Sequence, residues 1–322
     1  MSREVKTLYV DAGEDGTRLD RFFKRRWPHV NHVQLQKLLR SGQIRVDGAR
    51  AEASTRLSAG SQVRVPPLPE AGEREERRSG ISDRDAAYAR SLVIYEDESV
   101  LALNKPAGLA VQGGTKTTKH VDRLLSAWGE GLERPRLVHR LDRETSGLLL
   151  IAKKRSALTN LHDQMRDGTT DKRYFALVAG DWKNARQHVR LRLHKYNTAE
   201  GEKRVVVVPE GGQEAHTIFN LKRKWKEFAL LEAELKTGRT HQIRVHLASS
   251  GFPIAGDEKY GDFALNKQLQ KANDERGALR RMFLHAWQIT FAHPESGQPL
   301  TLQAPLPPEC ERFLVSLGQP IQ

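Results

Sequence analysis

The chain has 322 residues, 53 Lys and Arg against 40 Asp and Glu, a formal charge of +13 and one cysteine, Cys310. Such a length suits roughly two domains with a sizeable core, and a lone cysteine excludes an internal disulfide and any cysteine-based metal cluster. No apolar run approaches the ~20 residues of a membrane span, and "MSREVKTLYVDAGEDG" lacks a signal-peptide layout, so the expectation is a cytoplasmic protein with no membrane partner; the positive balance favours a polyanion, nucleic acid first.

The first organised stretch, residues 16–65, reads as a small α/β unit. Leu19, Phe22, Phe23 and Trp27 share one helical face behind Thr17 as N-cap, and Pro28 stops the helix. Leu35, Leu38 and Leu39 form the stripe of a second helix that Gly42 ends in a left-handed conformation. Ile44 and Val46 then alternate up to Asp47-Gly48, a tight-hairpin signal, and Val63 and Val65 mark a later strand. The polar faces carry Arg18, Arg21, Lys37, Arg40 and Arg45, a density suited to phosphates, against the blander reading of a solvated basic face. Residues 66–85, "PPLPEAGEREERRSGISDRD", have the proline, glycine and mixed charge of a linker. The expected boundaries are a domain over 1–66, a linker over 67–90 and a larger domain over 91–322.

In the larger domain, Val93 and Tyr95, then Val100, Ala102 and Asn104, suggest two short strands. "LVHRLDRETSGLLLIAKK" (137–154) places one acid, Asp142, between Arg140 and Arg143 ahead of an apolar run. A helix is predicted over 156–168 with Ser156 as N-cap and Gly168 beyond its end. In the strand 172–180, Tyr174, Ala176 and Val178 fall on one face and Phe175 and Leu177 on the other. A strand, a glycine turn, a helix from about Thr240 and a loop follow over 228–261, and 262–281 reads as an exposed helical insertion. Strands interspersed with single helices imply an α+β domain on a mixed, mainly antiparallel sheet.

Two resemblances follow from these motifs. "RLDRFF", "LQKLLRSGQIRVDG" and "LSAGSQVRV", in that order, resemble the S-four (alpha-L) RNA-binding domain, which makes RNA the partner of the N-terminal unit. "LNKPAGLAVQGG", "HRLDRETSGLLLIAKK", "KRYFALV" and "KTGRTHQIRVHLASSGFPIAGDEKYG" resemble the ordered motifs of the RluA-type pseudouridine synthases, from about Ser91 to the C-terminus. The resemblance implies the pseudouridine synthase fold and isomerisation of uridine in RNA, with large-subunit (23S) ribosomal RNA as the expected substrate and the protein a monomer. Other readings are a synthase acting on tRNA, a non-catalytic RNA-binding or ribosome-assembly factor, and a base-releasing glycosidase, for which no second carboxylate is evident.

Pseudouridylation cuts the bond from uracil N1 to ribose C1′, turns the base and rejoins it through C5, consuming no cofactor and needing no metal; neither a G-x-G-x-x-G nor a Walker-type loop is present. The resemblance makes Asp142 the catalytic aspartate, Tyr174 the stacking tyrosine and Arg244 the arginine that pairs with the acid. A nearby guanidinium keeps a carboxylate ionised where burial alone favours the acid form. Arg140 matches the position that enters the stack as the target leaves. His139, Lys172, Arg239, His241 and Gln242, inside the same motifs, are the expected substrate-binding residues, with Lys172 meeting phosphate or simply exposed. His241 and His246 stand five apart with no intervening H-E-x-x-H carboxylate, which argues for structural hydrogen bonding and against a metal site.

Overall fold

The computed structural model describes residues 5–27, 30, 32–68, 81–113, 117–131, 133–198, 201–271 and 278–321. The chain divides into two compact units, Met1–Gly80 and Ile81–Gln322.

In the first unit β1 (Lys6–Tyr9), β2 (Arg45–Val46), β3 (Ala49–Arg50) and β4 (Gln62–Val65) form a sheet in the order β1-β4-β2-β3. Helices Leu19–Arg26 and His32–Arg40 accompany it, and Leu19, Phe22, Phe23, Leu35, Leu39, Ile44, Leu57, Val63 and Val65 make its core. Asp47 and Gly48 take φ of +50° and +78°, the left-handed pair that a two-residue hairpin between β2 and β3 requires. The N-cap differs from expectation. Arg18, not Thr17, occupies it, and no side chain caps the helix; the Arg18 guanidinium instead grips the Asp20 carboxylate at 3.2 and 2.7 Å. Pro28, the expected helix stop, lies outside the described residues.

The proposed linker also changes at its end. Residues 69–80 lie outside the described set, but Asp83–Ser91 is a helix of the second unit, capped by the Ser82 hydroxyl accepting from the Asp85 N–H at 3.1 Å, with Asp83 and Asp85 in its first turn. Polar composition hid it, because a short helix needs few buried contacts, here Ala89 in the main core and Tyr88 packed against it.

The second unit is built on β5 (Val93–Glu96), β6 (Val100–Lys105), β7 (Arg136–Leu137), β8 (Ser146–Ala152), β9 (Asp171–Ala179), β10 (Arg186–Asn197), β11 (Lys203–Val208), β12 (Gln213–Lys224), β13 (Phe228–Leu235), β14 (Leu284–Ala292) and β15 (Pro299–Gln303). Their order is β11-β10-β12-β13-β9-β14-β8-β6-β5, with β15 on β14 and β7 on β8. Every pairing is antiparallel except β8 with β14, which run parallel for two residue pairs, Ser146–His285 and Gly147–Ala286. Every residue of β8 is buried, as suits a strand covered on both faces.

Alternation along β9 sorts two cores as expected: Tyr174, Ala176 and Val178 face the larger, while Phe175 and Leu177 face a second one with Phe228, Leu230, Phe283 and Phe313. Helix Pro308–Ser316 supplies Phe313 to that second core. Helix Arg155–Asp167 starts one residue before the expected cap and ends at Gly168 with φ +72°. Helix Gln242–Ser249 packs against β10, β11 and β12. Helix Phe263–Lys271 occupies the start of the 262–281 insertion, whose residues 272–277 are outside the described set. Among the described residues no helix is long and apolar enough to cross a membrane.

Candidate active site

Asp142 stands on the loop between β7 and β8, immediately before the parallel junction. That loop is fixed through its backbone. The Gly108 N–H donates to the Arg143 carbonyl at 2.8 Å, and the Arg143 Nε donates back to the Gly108 carbonyl at 3.0 Å. Lys105, wholly buried at the end of β6, donates to the carbonyls of Pro106, Leu109 and Arg143 at 2.9, 2.9 and 3.1 Å. Burial pulls its amine down to about 7, yet three acceptors matched to three N–H bonds favour the ammonium. At the junction itself Gly147 (φ +109°) leaves no room for a side chain: a Cβ there would lie 2.2 Å from the Ala286 carbonyl oxygen.

The Asp142 side chain, one quarter exposed, opens into a cavity of about 380 Å³ whose walls include His139, Arg140, Lys172, Tyr174, Arg239, His241, Gln242 and Arg244. All nine residues expected at the site therefore line one cleft, of the size usual for a small organic ligand. Arg244 reaches it from helix Gln242–Ser249, its Nη1 3.5 Å from Asp142 Oδ2.

The expected pairing is thus present but secondary. The guanidinium makes its two-pronged bond with Asp257, Nε to Oδ2 at 2.8 Å and Nη2 to Oδ1 at 2.7 Å, and both side chains are almost wholly buried. Asp257 also accepts the backbone N–H of Lys259 and Tyr260. Burial opposes its charge, while Arg244 and these amides hold its carboxyl below the ordinary range. The Tyr260 ring lies 5.1 Å from the guanidinium carbon. Asp257 anchors the arginine so that its remaining arm can point at Asp142.

Tyr174 is about nine-tenths buried, and burial followed by the Asp142 charge pushes its phenol well above the usual tyrosine range, so it faces the cleft as O–H. Burial lowers the Lys172 amine; this half-buried lysine stands in the cleft wall and is not simply exposed. His139 is pulled by burial to about 3, and its Nε2 accepts the Leu150 N–H at 3.0 Å, which spends that nitrogen on β8. Gln242 requires correction as a substrate ligand. Its carbonyl oxygen accepts from the Thr237 hydroxyl and the Arg239 N–H, and its amide nitrogen donates to the His216 carbonyl and the Thr217 hydroxyl, so every donor and acceptor is used within the protein. Arg140 and Arg239 are exposed at the rim, Arg239 Nε donating to the Glu214 carbonyl at 3.1 Å. Among the described residues no group of three or more His, Cys, Asp or Glu is placed to hold a metal.

Asp257 and Tyr260 were inside a quoted motif, yet nothing in their spacing marks them: Asp257 lies thirteen residues from Arg244, on a loop. Thr145, Met165, Arg166 and Leu235 also line the cleft, and none of them is among the expected site residues.

Residues 99–249 match the family model for RNA pseudouridylate synthase. Over 319 residues the chain is 38% identical to ribosomal large subunit pseudouridine synthase C of Pasteurella multocida, covering 99% of this chain and 96% of that protein. The chain belongs to the RNA pseudouridylate synthase family. A second member, the ribosomal large subunit pseudouridine synthase C of Escherichia coli K12, is 39% identical over 313 residues, 97% of each chain. The fold of this synthase is that of human RNA pseudouridylate synthase domain containing 4, with TM-score 0.59 and 24% identity over 73% of this chain and 97% of that one.

In the first unit, Arg18 and Arg40 border a shallow notch with Arg50, which the sequence did not single out. Arg21 and Lys37 are exposed. Arg45 is tied to the hairpin, its guanidinium donating to the carbonyls of Gly42 and Gly48 at 3.3 and 2.9 Å.

Proposed function

We propose that this synthase isomerises uridines in large-subunit ribosomal RNA, with Asp142 acting on a nucleotide turned out of the RNA stack. The observation that carries the reading is the placement of Asp142 in a cleft with Tyr174 on its wall and an anchored Arg244 3.5 Å away. Stacked uracil hides its ribose carbon, so chemistry there requires the nucleotide to be flipped into such a pocket. The N1–C1′ bond breaks, the base turns, and a C5–C1′ bond forms; the C5 proton leaves and N1 takes one up, so nothing is consumed. Whether the carboxylate attacks C1′ or removes a neighbouring ribose proton, the guanidinium 3.5 Å away fixes where its oxygen stands. Tyr174 stacks on the base, and Arg140, Arg239 and Lys172 meet the polynucleotide at the rim. Arg18, Arg21, Lys37, Arg40 and Arg45 give the first unit a basic face for RNA, which contributes affinity and placement rather than chemistry. The names of the relatives direct the choice of substrate to large-subunit rRNA, and we assign the protein to the cytoplasm as a monomer.

The test uses RNA carrying tritium at uracil C5. Tritium is expected to appear in water with no free uracil, and Asp142→Asn to abolish release while RNA binding survives; an unchanged rate removes Asp142 from the reaction.

A further inference from the structure

His241 adopts a backbone conformation rare for a residue with a β-carbon. Its φ and ψ are +52° and 20°, and among the described non-glycine residues only Asp47, in a hairpin turn, shares a positive φ. Strain of this kind, on the order of 1 kcal/mol, persists where the surroundings over-determine it. The outcome is a fixed direction for the imidazole. Its Nδ1 lies 2.8 Å from the Tyr260 hydroxyl, and its Nε2 lies 3.8 Å from Asp142 Oδ2. The Tyr260 oxygen already accepts the Val205 N–H at 2.9 Å, so the acceptor placed for the hydroxyl proton is the imidazole Nδ1.

Burial holds His241 down to about 4, so at neutral pH the ring carries a single N–H. With Nδ1 accepting from Tyr260, that proton sits on Nε2, the nitrogen that faces the carboxylate. The opposite tautomer would set a nitrogen lone pair against a carboxylate oxygen and leave the phenol proton without an acceptor. Both contacts favour the same form. Arg244 Nη1 approaches the same Oδ2.

We infer that His241 and Tyr260 are positioning residues: the Tyr260 hydroxyl locks the imidazole as its Nε2–H tautomer, and that N–H, 3.8 Å from Oδ2, adds to Arg244 a second positive edge that draws Oδ2 of Asp142 toward it and leaves Oδ1 as the oxygen presented to the ribose. The inference rests on Asp142 being the acting carboxylate. It also gives β11 a function, because Val205 orients the phenol. The strand is gripped there: Arg204 donates to the Lys259 carbonyl at 2.9 Å, and Glu202 pairs with Lys259 at 2.6 Å. Two hydrogen bonds, Val205 N–H to the Tyr260 oxygen and Tyr260 hydroxyl to His241 Nδ1, thus run from the sheet edge to an imidazole whose Nε2 faces the carboxylate at 3.8 Å.

The test is nitrogen NMR of the full chain labelled with ¹⁵N-histidine, combined with turnover of Tyr260→Phe. In the wild-type protein the His241 resonances are expected at positions typical of an unprotonated Nδ1 and a protonated Nε2. Tyr260→Phe keeps the ring beside Arg244; it is expected to mix the tautomers and to lower kcat about tenfold, the size usual for groups that orient a ligand from behind, with KM for RNA unchanged. A protonated Nδ1 in the wild type, or a wild-type kcat in Tyr260→Phe, overturns the inference. Failure of the underlying reading is separable: it shows as full activity in Asp142→Asn, whereas the wild-type spectrum reports the tautomer independently of turnover.

Discussion

Replacing Asp257 by Asn tests the claim that Arg244 is anchored by one acid in order to serve another. Asp257 is 1% exposed and Arg244 4%, so the substitution leaves a buried guanidinium facing a neutral amide. Removing one partner of a buried pair costs about 3–5 kcal/mol. Here Asp142, 3.5 Å from Nη1 and 26% exposed, takes up part of the uncompensated charge, which points to the lower end, about 3 kcal/mol. For a unit of this size such a loss lowers Tm by about 6–12 °C. Turnover falls as well, because a guanidinium released from its anchor no longer meets Asp142 at a fixed place, and a misplacement of about 1 Å costs on the order of 100-fold. Circular-dichroism melts and tritium release at saturating RNA measure both. If Asp257→Asn melts within about 1 °C of the parent and turns over normally, the anchor argument is refuted.

Gly147→Ala is expected to fail as a soluble fold or to lose several kcal/mol, since its Cβ would lie 2.2 Å from a backbone oxygen that cannot give way; urea unfolding decides. His246 and His285 are fully buried and held by burial at about 4. Their folded values lie below the unfolded value near 6.5, so the unfolded chain takes up protons first, and stability present above that value is lost as pH falls toward 4. Each costs about 2 kcal/mol at pH 5, read as a drop in the urea midpoint between pH 7 and pH 5 that His285→Gln reduces; a pH-independent midpoint contradicts this. Because Tyr174 is held as O–H, turnover should show no alkaline limb between about pH 8 and about pH 10 that disappears in Tyr174→Phe; a limb abolished by that variant shows an ionising phenol.

Local chemistry made much of this molecule legible. Period-two alternation sorted Tyr174 from Phe175, Asp47-Gly48 named its hairpin, and Gly42 and Gly168 closed their helices, because each is decided within a few residues by sterics. Ordered motifs placed Asp142, Tyr174 and Arg244 in one cleft before any coordinates. What escaped was set by partners distant along the chain. Asp257 is the principal mate of Arg244 because a loop returns beneath a helix, and Gln242 looked available to substrate until four neighbours from other elements consumed its amide. The helix Asp83–Ser91 escaped for a different reason: its composition is that of a linker, and only Ala89 and the half-buried Tyr88 tie it to the core.

In the parallel contact between β8 and β14, Gly147 meets Ala286 main chain to main chain, and in the neighbouring pair the Ser146 hydroxyl lies 2.9 Å from His285 Nδ1. At Gly147 the spacing of the two strands is therefore set by backbone contact and not by the size of a side chain. On the proposed reading, recognition can diversify along the outer margin, at Arg140, Arg166 and Arg239, while Asp142, Tyr174 and Arg244 keep their spacing. A lineage can acquire a new target without relearning the reaction.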